Sequence, residues 1–379
     1  MKTMKRRLLM VVAMMATVVS SWSQGLTATL QQGGRMTPYY GVDAFKQAYE
    51  AASNGAIITL SAGSFNSVGE ITKQITIIGN GGFSAIEKRT YINGIYDSTN
   101  KYSWYLKINA NNVKIEGIYF SSYRLILGNI SNLKISHCYI SDLRAEGTHT
   151  NTIIDQCYIE DDYTMNKSEN YCIKNSFISN FLTRNSSSNM AYITNCRILR
   201  YSYYHYGGAN SGDPFKNISY PYAVYKNCIL GEYTYSSQYL TETSSSYWNG
   251  YDLRISSYPE IEYYNCVFFY YPYSWNGTYY TYVSDLATKE LYSNPPSGTN
   301  RKDNSKSTWA DLFDTTYSYY GSGYIKTELK GDDGKQVGPY GGSGFTMIPS
   351  IPRITDSTID SYTDSSGKIK VKIKVESNQ

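Results

Sequence analysis

Between residues 133 and 269 the apolar and polar positions recur as one short phrase. LKISHCYI from Leu133, IIDQCYI from Ile153, CIKNSFI from Cys172, YITNCRI from Tyr192, VYKNCIL from Val224 and EYYNCVF from Glu262 share it. Each gives a large apolar or aromatic residue, a polar one, a residue that is usually Asn, then Cys or Ser, a spacer and another apolar residue. The common position falls at Cys138, Cys157, Ser176, Cys196, Cys228 and Cys266, at intervals of 19, 19, 20, 32 and 38 residues. The short intervals suit one coil of a β-solenoid and are too short for a propeller blade or a helical hairpin repeat. The longer two then read as the same coil carrying insertions.

Within one coil the alternation predicts Ile193 pointing in, Thr194 out, Asn195 at a corner, and Cys196 and Ile198 in again from the next strand. Asparagine suits the corner because it tolerates the left-handed backbone better than other non-glycine residues. Stacking the coils superimposes Asn175, Asn195, Asn227 and Asn265, and their side-chain amides are expected to bond along the stack. The cysteines are expected to be packing residues, small and apolar enough for an inward site past a tight corner. Six cysteines in an exported chain ordinarily suggest three disulfides. Five of these share one coil position with parallel side chains, a poor geometry for bridging, so free stacked thiols are expected. Cys172 takes a different, outward position and reads as the reactive thiol. With no Cys-x-x-Cys and scattered histidines, no metal site is expected.

Before the repeats, GVDAFKQAYEAASNGAIITLSAGSF places Ala44, Phe45, Ala48, Tyr49 and Ala52 on one face of a helix, capped by Asp43 and ended by Asn54-Gly55. IITL, residues 57 to 60, and ITIIGN, residues 75 to 80, read as strands. Over residues 40 to 345 this order of helix, strand, Ser/Ala-Gly-x-Phe and Ile-Thr-Ile-x-Gly strand resembles the pectate-lyase-like right-handed parallel β-helix superfamily. The resemblance implies an all-β, right-handed parallel β-helix with an N-terminal capping helix. It implies little about activity, because that superfamily holds lyases, hydrolases, tail-spike-like proteins and non-enzymatic surface proteins.

DGKQVGPYGG, residues 333 to 342, resembles the closing coil of secreted β-helix proteins typical of Bacteroidetes, with IPSIPRI, residues 348 to 354, as the linker that follows. KIKVKIKV, residues 368 to 375, then alternates Ile and Val with four lysines. It reads either as an added strand covering the open end of the solenoid, its lysines deterring edge pairing, or as a strand that docks on an acidic glycan or envelope component.

The N-terminus, MKTMKRRLLMVVAMMATVVSSWSQG, has a basic head, an apolar run from Leu8 to Val19 and small residues around Ser23. It reads as an export signal over residues 1 to 23 rather than a membrane span, which needs about 20 apolar residues. Its removal takes away four positive charges, so the formal +4 becomes about zero. A basic stripe for nucleic acid is therefore not expected, and neither is a transmembrane span in the mature chain. The predicted organisation is a signal peptide over 1 to 23, a β-helix domain over 24 to 347 and a C-terminal strand module over 348 to 379.

Of 42 tyrosines, 21 lie between Tyr201 and Tyr282, where insertions follow the inward residues of three coils. Insertions at one coil position should emerge on one side and build one face. Tyrosine with Ser, Gly and Asn makes adaptable binding surfaces, and rings suit the apolar faces of sugars. Tyr203, Tyr204, Tyr206, Tyr247, Trp248, Tyr273 and Trp275 are the expected glycan contacts, on a polysaccharide or a host or bacterial surface glycan.

The resemblance also supplies catalytic templates. Polygalacturonase-like hydrolases pair carboxylates with Gly-His-Gly and Arg-x-Lys; here Gly147-Thr148-His149 departs from the first and the second is missing. Pectate-lyase-like enzymes use calcium-binding carboxylates and a basic residue. Asp142, Arg144, Asp155, Glu160, Asp161 and Asp162 are the residues that could supply such a set, Glu146 beside them, with calcium as the implied cofactor. The preferred reading is a secreted or cell-surface, non-catalytic glycan-binding or adhesive protein. The alternatives are a polysaccharide lyase or glycoside hydrolase acting on an acidic glycan, and a purely structural envelope spacer.

Overall fold

A computed structural model describes residues 25–82, 86–96, 104–164, 168–183, 191–201, 223–234, 262–275, 280–282, 286–287, 330–346, 353–359 and 371–376. It forms a right-handed parallel β-helix, a stack of coils built on two long sheets. The first sheet has eleven short strands, two antiparallel at its N-terminal edge and the rest parallel. In the second, longer strands such as Tyr119–Leu127, Tyr139–Ala145 and Tyr158–Thr164 stack in parallel register.

Register explains the repeat. Ile58, Ile77, Ile115, Ile135, Ile154, Ile173 and Ile193 lie one above another in the first sheet, each at most 1% exposed. Ile140, Ile159, Ile178 and Ile198 form a matching inward column in the second. Full burial of one such side chain is worth about 1.5–3 kcal/mol, so a lone coil cannot fold and stacked coils can.

The corner between the sheets follows the expected geometry. Asn175, Asn195, Asn227 and Asn265 have φ between 45° and 52°, and His137 and Gln156 take the same left-handed position on earlier coils. Cys138, Cys157, Cys196, Cys228 and Cys266 follow it, all free and fully buried. Their role exceeds packing: each Sγ donates to the carbonyl two residues back, at 3.1 Å for Ser136 and 3.3 Å for Thr194. Ser176 does the same with Oγ, at 2.7 Å from the Lys174 oxygen, and accepts from the Cys157 amide. A small side chain with an S–H or O–H thus gives a second donor to a carbonyl that already accepts a backbone N–H from the preceding coil, a role Ser can take in place of Cys.

The amide ladder forms at a different corner from the one expected. Asn112, Asn132, Asn151 and Asn170, with φ between 54° and 57°, precede the short strands. The amide of each donates one coil back: Asn132 to Asn112 at 3.0 Å, Asn151 to Asn132 at 3.1 Å, Asn170 to Asn151 at 3.0 Å. Asn175 and Asn227 instead bond a strap, residues 331 to 346. This segment forms no closing coil; it crosses the coils in descending order. Asn227 donates to Asp332 (2.8 Å) and Asn175 to the carbonyls of Pro339 and Gly341, while Thr346 N–H donates to Gln156 (2.9 Å). Phe345 sets its edge against Phe177, ring centroids 4.9 Å apart.

Helix Ala44–Ala51 buries Ala44, Phe45, Ala48 and Tyr49 as expected. Asp43 makes no side-chain cap and instead accepts from Asn66 at 2.8 Å. At the other end Lys73 Nζ donates to the carbonyls of Tyr49, Glu50 and Ala52, a cation at the negative pole of the helix. A hairpin that the pattern did not predict, Thr27–Gln32 with Arg35–Tyr40, turns at Gly33-Gly34, both at positive φ, and covers the edge of the first parallel strand. The lysine-rich strand, Val371–Glu376, pairs antiparallel with Arg353–Ile359 in a two-stranded sheet of its own and is not a strand of either long sheet.

Candidate functional site

The candidate catalytic residues separate into two groups. Asp142 and Arg144 lie on the second sheet, where Arg144 Nε and Nη2 reach the Asp142 carboxylate at 2.5 and 3.0 Å. Arg124, one coil back, donates to the same carboxylate through Nε at 3.0 Å. A carboxylate whose two oxygens are both engaged by guanidiniums is a poor calcium ligand. Glu160 accepts from the Tyr139 hydroxyl, and Asp161 holds the register position next to Asp142. Asp162 occupies the register of Leu143 and Phe181; for Asp161 and Asp162 only the backbone is described. Asp155 lies on the other sheet, paired with Lys174 at 3.1 Å. His149 is fully buried, out of reach of a substrate.

Cys172 is half-buried and its thiol is pushed up, by burial first, against a smaller opposing effect of Lys174. Burial thus works against the reactivity expected of it, because the thiolate is the nucleophile, while the other five thiols are more deeply buried.

Of the expected glycan contacts, Tyr203, Tyr204, Tyr206, Tyr247 and Trp248 lie outside the described residues. Tyr273 and Trp275 lie on strand Val267–Trp275, for which only the backbone is described at these positions. The strand ends are informative. Arg197–Tyr201, Ile229–Thr234 and Val267–Trp275 lie side by side in register; the first two end where inserted residues begin, whereas the third is followed by Tyr280–Tyr282 and Leu286–Ala287, which pair antiparallel with it. The strands also run further than expected, absorbing Gly231 to Thr234 and Tyr270 to Trp275.

Sequence reasoning missed an outward aromatic column on the second sheet. Tyr119 and Tyr139 stack at 4.2 Å and 7°, Tyr139 and Tyr158 at 5.2 Å and 7°. Arg89 covers Tyr119 at one end and Phe345 covers Phe177 at the other. The Tyr158 hydroxyl is bonded with Ser179 and that of Tyr139 donates to Glu160. Faces and hydroxyls are spent within the protein, leaving mainly ring edges, so this column serves the fold better than it would a sugar.

A groove of about 500 Å³ opens beside the amide ladder, lined by Gly55, Gln74, Ile75, Thr76, Asn112, Lys114 and Asn132. The ladder ends in it, Asn112 donating to Gln74 at 3.4 Å. Asparagines one or two residues before the short strands, at spacings of 20, 19 and 19, were the available signal. Among the described residues no group of His, Cys, Asp and Glu has the makings of a metal site, and no helix is long and apolar enough to cross a membrane.

Comparison with family models, with curated proteins and with solved structures finds no match to this chain. The class the geometry defines is a parallel β-helix.

Proposed function

We propose that this chain is a secreted or cell-surface β-helix protein that holds glycans on its tyrosine-rich loops without transforming them. The supporting observation is that inserted residues begin at the ends of two neighbouring registered strands, at Tyr201 and Thr234, beside a third, Val267–Trp275, that is extended by antiparallel strands. Loops that start together on a rigid stack are where binding faces are built, and this composition suits sugars. The export signal over residues 1 to 23 and the pectate-lyase-like ancestry belong to the same proposal, on the residues given above. A lyase or hydrolase would need carboxylates that converge and are open to substrate. Asp142 is instead shared by two arginines, and Asp155 is tied to Lys174 on the other sheet.

The test is retention of the full chain on a panel of polysaccharides, with unsaturated product and reducing ends followed in parallel. Trp248→Ala and Tyr204→Ala are expected to weaken retention about tenfold each, a typical loss for an aromatic contact. Asp161→Ala should leave it unchanged. Product formation abolished by Asp161→Ala would refute the binding reading.

A further inference from the structure

The outward face of the first sheet carries a column that the loops do not involve. Thr76, Lys114, Lys134, Ile153, Cys172 and Tyr192 follow one another in register on successive coils. Lys114 and Lys134 are both exposed, and neighbouring strands hold their backbones about 4.8 Å apart. Neither ammonium has a carboxylate within ion-pairing distance among the described residues. Carboxylates in the next outward column face other groups: Glu116 lies 3.5 Å from His137, and Asp155 pairs with Lys174. Like charges set opposite each other across strands repel, and a bound anion would relieve that.

Two residues earlier on the same coils stand Asn112 and Asn132. Each amide gives one hydrogen to the ladder and keeps a second, with no protein partner among the described residues. Further along, Ile153 is 37% and Tyr192 46% exposed, an apolar continuation of the cationic column.

We propose that this face binds a linear anionic glycan laid along the solenoid axis. A carboxylate or sulfate sits between the Lys114 and Lys134 ammoniums, sugar hydroxyls take the spare amide hydrogens of Asn112 and Asn132, and a C–H face rests on Tyr192. The periodic amides favour a polymer over a free anion. Two lysines in a column whose other charged residue is Glu262, two coils beyond Tyr192, favour a sparsely charged glycan over a nucleic acid, which would need a basic stripe. The site does not depend on the tyrosine-rich loops, so either can fail alone.

The experiment is calorimetric titration of the full chain with a galacturonate hexamer, its methyl ester and a sulfated chondroitin hexasaccharide. At least one charged probe is expected to bind, more weakly as salt rises, with the ester about tenfold weaker than the acid if the acid is the one bound. Lys114→Gln with Lys134→Gln should weaken that binding about tenfold, and Tyr192→Ala should weaken it too. Trp248→Ala should leave it unchanged. All these changes are at exposed positions or in the loops, and unchanged thermal unfolding separates binding from folding. Binding of neither charged probe, or binding that survives the double lysine change, overturns the proposal.

Discussion

His149 makes the stability of the solenoid depend on pH. It is fully buried in a three-stranded sheet between Ile130 and Ser168, its ring edge-on to Tyr171 at 5.3 Å, and neither ring nitrogen has a hydrogen-bond partner among the described residues. Burial lowers its pKa from 6.5 to about 4. The fold therefore holds the neutral ring, while the unfolded chain protonates below pH 6.5. Between those values the unfolded state binds more protons, so stability is complete above pH 6.5 and is lost as pH falls towards 4. A shift of this size corresponds to about 3 kcal/mol. His137 adds in the same direction: its pKa is lowered, by burial first, against the opposing charges of Glu116 and Asp155.

His149→Ile removes the titration and repeats Ile130, the residue in register one coil before. Urea unfolding followed at several pH values from 7 to 4, wild type against variant, isolates this residue from the carboxylates that titrate in both. The variant should lose about 3 kcal/mol less than wild type across that range. Equal losses in the two proteins would refute the reasoning, as would a His149 resonance that titrates near 6.5 in the folded chain.

The strap gives a second test. A Cβ on Gly341 would lie 2.0 Å from the Gln336 oxygen and 2.5 Å from Asn195 Nδ2, so Gly341→Ala should cost about 1–3 kcal/mol and expose residues 331 to 346 to limited proteolysis; unchanged cleavage would argue against the strap. In the ladder, Asn132→Ala loses a bond on each side and keeps a left-handed backbone, an expected cost of about 2 kcal/mol, whereas Asn132→Gly should cost about half that. Equal unfolding midpoints for the two variants would show that the backbone conformation is not what asparagine supplies. Thiol titration of the native protein should find at most Cys172 reacting, and all six cysteines after unfolding; several fast native thiols would contradict the buried column.

The repeat was legible because it is enforced at every coil. Inward Ile, a left-handed Asn and a small thiol recur wherever the backbone makes the same demand, and one sequence displays that demand several times. Which asparagine column bonds to itself was not legible, because both columns occupy left-handed corners and φ preference cannot separate them. The difference lies in what covers each, and the cover is more than 100 residues away: Asp332 reaches Asn227, and Gly341 reaches Asn175. Gly341 is required by the space Asn195 leaves, a contact that no local window contains. Asp43 misled for a related reason: cap chemistry predicts a bond to the helix amides, but Asn66 takes its carboxylate.

The two asparagine corners solve one problem in two ways, and the difference bears on function. A left-handed corner projects a side-chain amide that needs partners on both sides. The strap supplies both at Asn175, and Asp332 for the Nδ2 group at Asn227, and these side chains become buried, at 3% and 2% exposure. At Asn112, Asn132, Asn151 and Asn170 each amide finds its partner one coil back and stays in solvent with a hydrogen to spare. A covered corner cannot meet a ligand without releasing its strap, whereas the self-bonded corner presents an ordered row of donors at no further ordering cost. Preorganised polar groups in an open groove, beside two ammoniums with no ion-pair partner among the described residues, are what a hydroxylated anionic polymer needs, and the coil repeat supplies them at the spacing of the strands.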